Sequence, residues 1–301
     1  MKLKLGARGS QLSLAQAKLV TQSLEGRAEV ALVVIKTTGD RLSAAGSPIE
    51  WKGDFTRELD EALLDGRIDF AVHSMKDVPT QVPEGLSLAA VPLREDPSDV
   101  LISRPGRSFA ELPAEARVGT ASPRRKAQLL AARPDLKILE ARGNVDTRIA
   151  RLAEGRFDAI VLARAGLARL GRLEEASEVL PASLILPAIG QGALAIYARS
   201  DDRETLSMLE ALDHAASHRE ADAERGLLST LEAGCKAPVA GLARVRDGSL
   251  ALWAGVFSPD GSSVLREESS GPAADAVSIG RAAGRKLLER GAAAMIEAAG
   301  R

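Results

Sequence analysis

Short apolar runs alternate along the chain with stretches in which apolar residues recur at helical spacing. In the N-terminal part Lys2–Ala7, Val30–Lys36, Ile68–Val72 and Leu86–Val91 read as strands, and Gln11–Glu25 and Phe55–Asp65 as helices. That order predicts a mainly parallel sheet. The pattern then begins again, with strands expected at Asp99–Ser103, Ala116–Gly119, Leu136–Glu140 and Ala159–Ala163, and helices at Arg124–Ala132, Val145–Glu154 and Gly166–Gly171. Pro92 and Pro97 bracket the first junction and Pro181 and Pro187 the second, which suggests two α/β lobes joined by a hinge. Ala193–Ala198 reads as a strand that returns to the first lobe.

Beyond the helical stretch Asp202–Leu212 the texture changes. An alanine-rich amphipathic helix, His218–Leu231, precedes strands Val239–Arg246, Leu250–Ser258 and Val264–Ser270 and a helix Ala273–Arg290, the outline of a third, smaller α/β domain. The expected division is 1–92 with 193–212 for the first domain, 93–192 for the second and 213–301 for the third.

A chain of 301 residues that is 45% hydrophobic can bury the cores of two or three domains. Its apolar runs are broken by charge or proline, and Met1-Lys2-Leu3-Lys4-Leu5-Gly6 alternates as a strand does, so a soluble cytoplasmic protein without a membrane span is expected. Forty Lys+Arg against 41 Asp+Glu give a formal net charge of -1, which offers no global field for nucleic acid or an anionic membrane. A single cysteine, Cys235, excludes an internal disulfide. His214 and His218 share helical i,i+4 spacing but lack a glutamate after the first histidine and an evident third ligand, so no metal is expected. Gly190-Gln191-Gly192 half-matches a dinucleotide fingerprint, but the residues after it read as a strand, and no Walker-type loop occurs.

Chemistry is expected in Val72-His73-Ser74-Met75-Lys76-Asp77-Val78-Pro79-Thr80, where an apolar strand ends in adjacent opposite charges. Open α/β sheets bind ligands beyond the carboxyl ends of their strands; otherwise a Lys-Asp pair is a solvated turn. Three helix starts carry arginine: Arg8-Gly9-Ser10, Ser122-Pro123-Arg124-Arg125 and Arg142-Gly143-Asn144-Val145-Asp146-Thr147-Arg148. Ser10, Ser122 and Asn144 are natural caps. Cations there oppose the helix dipole unless an anion arrives, and guanidinium forks suit carboxylates and phosphates. Each arginine alone is explained by a solvated face; the repetition points to a polyanionic ligand. Cys235 lies in a Gly- and Pro-containing loop beside Lys236, a setting that favours the thiolate needed for a nucleophile or tether, although lone cysteines are commonly buried apolar residues.

Together these segments, with Ala165-Gly166-Leu167-Ala168-Arg169-Leu170-Gly171, Pro187-Ala188-Ile189-Gly190-Gln191-Gly192-Ala193 and Leu231-Glu232-Ala233-Gly234-Cys235, resemble the hydroxymethylbilane synthase (porphobilinogen deaminase) family nearly end to end. The resemblance implies α/β architecture in three domains, the first two like a type II periplasmic binding protein with the active site in the cleft between them. It implies stepwise condensation of four porphobilinogen molecules on a dipyrromethane cofactor held by a thioether to Cys235. By the same match Asp77 is catalytic, stabilising the azafulvene cation left when ammonia departs and moving protons. Lys76, Ser122, Arg124, Arg125, Arg142 and Gly143 hold the cofactor, while Arg8, Ser10, Arg148, Arg169 and Gln191 hold substrate. Lys52 and Phe55 belong to a flap. The family also implies a monomer.

Some positions depart from the family pattern. Glu50-Trp51-Lys52-Gly53-Asp54-Phe55 stands where Gly-Gly-Lys-Gly-Leu-Phe is usual, Pro123 where leucine is common, and Lys236 where glutamine is common. A two-lobe binding protein for a small polycarboxylate would share the hinge and the arginines, but it would not require Asp77 or Cys235. A structural protein would predict no ligand.

Overall fold

The computed structural model describes residues 1–40, 55–233 and 237–300. They form two compact units, Met1–Glu95 with Ala193–His218, and Asp96–Gly192 with Arg219–Arg301. In the first unit, alternation along β1 (Lys2–Arg8) buries Leu3, Leu5 and Ala7 against Ala17 and Val20 of the helix Gln11–Ser23. β1 pairs in parallel with β2 (Glu29–Ile35) and β3 (Phe70–Ser74).

As expected, the four strands from the first ninety residues run in one direction, and the returning strand is the antiparallel one. β10 (Leu194–Arg199) lies antiparallel between β3 and β4 (Leu86–Ala90), giving the order β2-β1-β3-β10-β4. An apolar run specifies a buried strand but not its neighbour, and β4 finds its one partner in a segment that returns from far along the chain. The link from β3 to β4 also holds only a 3-10 turn, Met75–Asp77, with no crossover helix to set the two strands side by side in parallel.

The second unit repeats the scheme. β6 (Arg117–Gly119) is flanked in parallel by β7 (Lys137–Leu139) and β8 (Ala159–Ala163), while β5 (Asp99–Ser103) lies antiparallel between β8 and β9 (Glu178–Leu180). The order β7-β6-β8-β5-β9 thus matches that of the first sheet. In each case the inserted strand is the one whose preceding strand lies in the other unit. β5 and β8 are buried nearly throughout, as central strands covered on both faces should be.

The remainder of the second unit is an antiparallel meander of β11 (Val239–Arg246), β12 (Ser249–Phe257) and β13 (Val264–Pro272), with helices Ala215–Leu231 and Ala276–Glu289 supplying Leu227, Ala283 and Leu287 to a core with Leu250, Leu252 and Val256. Ala127 and Leu186 pack with Ala240, Leu242 and Phe257, so 96–192 and 219–301 share a core. β9, the turn Met75–Asp77 and the terminal helix Ala292–Gly300 have no counterpart among the sequence expectations.

The helix pair of the meander touches at a glycine. A Cβ on Gly280 would lie 2.0 Å from the Ala223 carbonyl oxygen and 2.8 Å from the Leu227 nitrogen, both backbone atoms that cannot rotate away. Gly280→Ala is therefore expected to lower stability in urea by about 2–3 kcal/mol through overpacking. The exposed neighbour Ser278→Ala should stay within about 0.5 kcal/mol, and equal effects for the two variants would refute the close crossing.

Candidate functional site

In the first unit the end of β3 is held by Met75, whose N–H donates to the Ala193 carbonyl, and by Val78, whose N–H donates back to Met75. Both side chains are buried, and between them Lys76 and Asp77 sit on a 3-10 turn, half-buried. Asp77 faces a cavity of about 50 Å³ lined with Arg8, Ser10, Phe55, Thr56, His73 and Ser74 among others. Among the described residues its carboxylate has neither a hydrogen bond nor an ion pair with a side chain.

Arg8 ends β1 at the same cavity. Its guanidinium stacks 4.0 Å from the centre of the Phe55 ring and its Nε donates to Asp40 at 3.0 Å. Phe55 in turn packs where Gly39 leaves room for it. Burial pushes Asp40 up, but the hydrogen bonds and charge of Arg8, with Thr37, more than offset this and hold the carboxyl below its ordinary range. Ser10 caps the first helix by accepting from the Ser13 N–H. His73 is buried, edge-on to Tyr197, with an Nε2 that has no partner. Burial first, and the nearby Arg8 charge second, lower its pKa to about 4, so the ring is neutral.

The second unit carries the arginines of the other two expected helix starts. Ser122 caps the helix Pro123–Ala132, and Arg124 and Arg125 in its first turn are buried. Both meet Asp99, the fully buried first residue of β5: Arg124 Nη2 donates to Oδ2 and Arg125 Nη2 to Oδ1, each at 2.7 Å. Gln191 Nε2 adds a bond of 2.9 Å to Oδ1. Burial acts to raise the Asp99 pKa, yet the two arginines hold it far below the usual carboxylate range. The anion that these two cations require is thus present inside the fold.

Asn144 caps the helix Val145–Ala153 by accepting from Thr147 N–H at 2.8 Å, and Gly143 before it has φ +102, a conformation that suits glycine. Arg142 pairs with Glu140 at 2.7 Å, and Arg169 Nη2 donates to the Gly192 carbonyl at 2.6 Å. Arg148 differs. Its Nε is shielded and lacks a partner, and burial, then the charges of Arg125 and Arg151, lower its pKa to about 10. Arg124, Arg125 and Arg148 against Asp99 leave a formal surplus of two positive charges.

Within each unit, then, Arg8, Ser10, Phe55 and Asp77 share one cavity, while Arg124, Arg125 and Gln191 converge on Asp99 with Arg148 beside Arg125. Lys52 and Cys235 lie outside the described residues. Asp40, His73 and Asp99 are absent from the sequence-derived site; Asp99 had a visible signal, a lone carboxylate opening an otherwise apolar strand. His214 and His218 bond Ser217 and Asp213 at the start of the helix Ala215–Leu231. Among the described residues no group of three or more His, Cys, Asp or Glu could hold a metal ion, and no helix is long and apolar enough to cross a membrane.

A family model described as "Porphobilinogen deaminase, dipyromethane cofactor binding domain" matches residues 3–207, and one described as "Porphobilinogen deaminase, C-terminal domain" matches 218–289. Among similar proteins, the porphobilinogen deaminase of Desulforudis audaxviator is 52% identical, covering 96% of this chain and 94% of its own. That of Syntrophomonas wolfei is 48% identical, covering 98% and 97%. Among solved structures, the VFT2 domain of Bordetella pertussis BvgS is 16% identical with a TM-score of 0.42, over 74% of this chain and 91% of that one. A putative methionine-binding lipoprotein from Bacillus subtilis is 14% identical with a TM-score of 0.43, over 71% and 90%. These two likenesses are too loose to bear on function.

The neutral His73 carries a measurable pH dependence. Its pKa is near 4 in the fold against 6.5 ordinarily, so the unfolded chain binds the extra proton between those values. The stability it contributes is complete above about pH 6.5 and is lost as pH falls toward 4, a total of about 3 kcal/mol. The stability difference between wild type and His73→Gln in urea should shrink by about that much over this range; a pH-independent difference would refute it.

Proposed function

The chain belongs to the porphobilinogen deaminase family, and from that premise we propose how its residues divide the work. It is a transferase of tetrapyrrole biosynthesis that joins four porphobilinogen molecules, with loss of ammonia, into hydroxymethylbilane, and it has a dipyrromethane-binding domain. The observation that carries the residue assignment is the surplus of cations formed by buried Arg124 and Arg125 with half-buried Arg148, whose shielded Nε has no partner among the described residues.

A ligand bearing several carboxylates fits that surplus. A guanidinium has five N–H donors, so a ligand can share Arg124 or Arg125 with Asp99. In this reading Lys76, Ser122, Arg124, Arg125, Arg142 and Gly143 hold the cofactor, with Cys235 as its thioether tether. Arg8, Ser10, Arg148 and Arg169 hold substrate carboxylates, Gln191, whose Nε2 is committed to Asp99 and the Pro97 carbonyl, lines the substrate site, and Lys52 and Phe55 belong to its flap. The bound dipyrromethane supplies the pyrrole α-carbon that acts as nucleophile.

Asp77 does the proton and charge work. With no side-chain partner among the described residues to compete, its oxygens are open to accept from a pyrrole N–H, to stabilise the cation formed as ammonia leaves porphobilinogen, and to take the proton released at the new carbon–carbon bond. Met75 and Val78 fix the turn, so the carboxylate is presented without much loss of side-chain freedom. The near balance of acidic and basic residues supports a small-molecule partner rather than nucleic acid, and the family resemblance supports a cytoplasmic monomer with domains 1–92 plus 193–212, 93–192 and 213–301.

Asp77→Asn should fold and load cofactor normally while turnover falls by about 10²–10⁴-fold; near-normal turnover would remove Asp77 from the chemistry. Intact mass tests the tether. The wild type should exceed its sequence mass by two porphobilinogen units less two ammonia molecules, and Cys235→Ser should not; an equal excess in the variant would place the attachment elsewhere.

A further inference from the structure

Arg124 and Arg125 are adjacent like charges, buried at the N-terminal end of a helix whose dipole is itself unfavourable to cations. Such a pair cannot stay charged in a protein interior without a counter-anion. Asp99 supplies one, and both of its oxygens are used: Oδ2 accepts from Arg124 Nη2, and Oδ1 from Arg125 Nε and Nη2 and from Gln191 Nε2. The remaining guanidinium bonds run to backbone, from Arg124 Nη1 to the Leu186 carbonyl at 2.7 Å and from Arg125 Nη1 to the Val161 carbonyl at 3.0 Å. The forks are therefore oriented before any ligand arrives, yet with Arg148 alongside, the cluster is short of negative charge.

We propose that Asp99 is a built-in counter-anion, a positioning residue that makes the arginine cluster foldable before the cofactor is assembled and whose neutralising share the cofactor's carboxylates take over afterwards. The inference rests on the reading that dipyrromethane carboxylates meet these arginines. It assigns Asp99 no contact with the reacting atoms. Its consequence is conditional stability: the chain should need Asp99 far more when cofactor-free than when loaded.

The test compares wild type, Asp99→Asn and Asp99→Glu, each purified from a host that makes no porphobilinogen and melted before and after incubation with porphobilinogen, with loading read by intact mass. Cofactor-free Asp99→Asn should melt lower than wild type by about 10 °C, the size expected for breaking a buried ion pair in a chain of this length. The loaded variant should recover more than half of that loss, and Asp99→Glu, which keeps the charge, should show a smaller gap. Equal losses in both states would overturn the proposal by making Asp99 an ordinary structural residue. A wild type that gains no mass would remove the cofactor reading, and this inference with it. Should Asp99→Asn not fold without cofactor, soluble loaded protein from a porphobilinogen-producing host supports the proposal, and insolubility in both hosts overturns it.

Discussion

One carboxylate organises the second unit. Asp99 stands at the start of β5, receives the first turn of the helix Pro123–Ala132 through two guanidinium groups, and holds the turn before β10 through Gln191. Gln191 Nε2 also donates to the Pro97 carbonyl at 2.6 Å, which closes the network on the segment leading into β5. Desolvating a carboxylate and two cations is costly, and the cost is met by geometry that satisfies nearly every donor. The exception is Arg124 Nε, which is buried without a partner. The arrangement is stable as a set and intolerant of losing a member.

The first unit uses a different device. Its charged turn is suspended between two apolar anchors, Met75 and Val78, whose buried side chains and backbone hydrogen bonds together determine where Asp77 stands. Around it the cavity wall is kept selectively charged: Arg8 is matched by Asp40 and stacked on Phe55, and His73 is neutral because burial and Arg8 both oppose its protonation. A carboxylate without a side-chain partner among the described residues keeps, in such a setting, its capacity to accept hydrogen bonds.

Local signals were legible in the chain and long-range ones were not. Ser10, Ser122 and Asn144 cap the helices they were expected to cap, because capping depends on residues three positions apart. The strands Asp99–Ser103, Ala159–Ala163 and Val239–Arg246 end where their apolar patterns end. The partners of the arginines were hidden, since Asp40 and Asp99 lie more than twenty residues from the cations they neutralise. Glu140, two residues from Arg142, was visible and is the simplest explanation of that arginine's setting in this structure. The antiparallel insertion of β10 was equally hidden, because alternation and hydrophobicity carry no label for the neighbouring strand.

The interchange of β5 and β10 bears on the order in which the protein can be made. The second sheet needs only residues 99–180, whereas the first has no strand between β3 and β4 until residue 199 has been synthesised. Of the two five-stranded sheets, the one whose first strands are translated first is therefore completed second, and β3 and β4 wait with open edges while the second sheet assembles. During that interval the unpaired edges of β3 and β4 are open to wrong pairing.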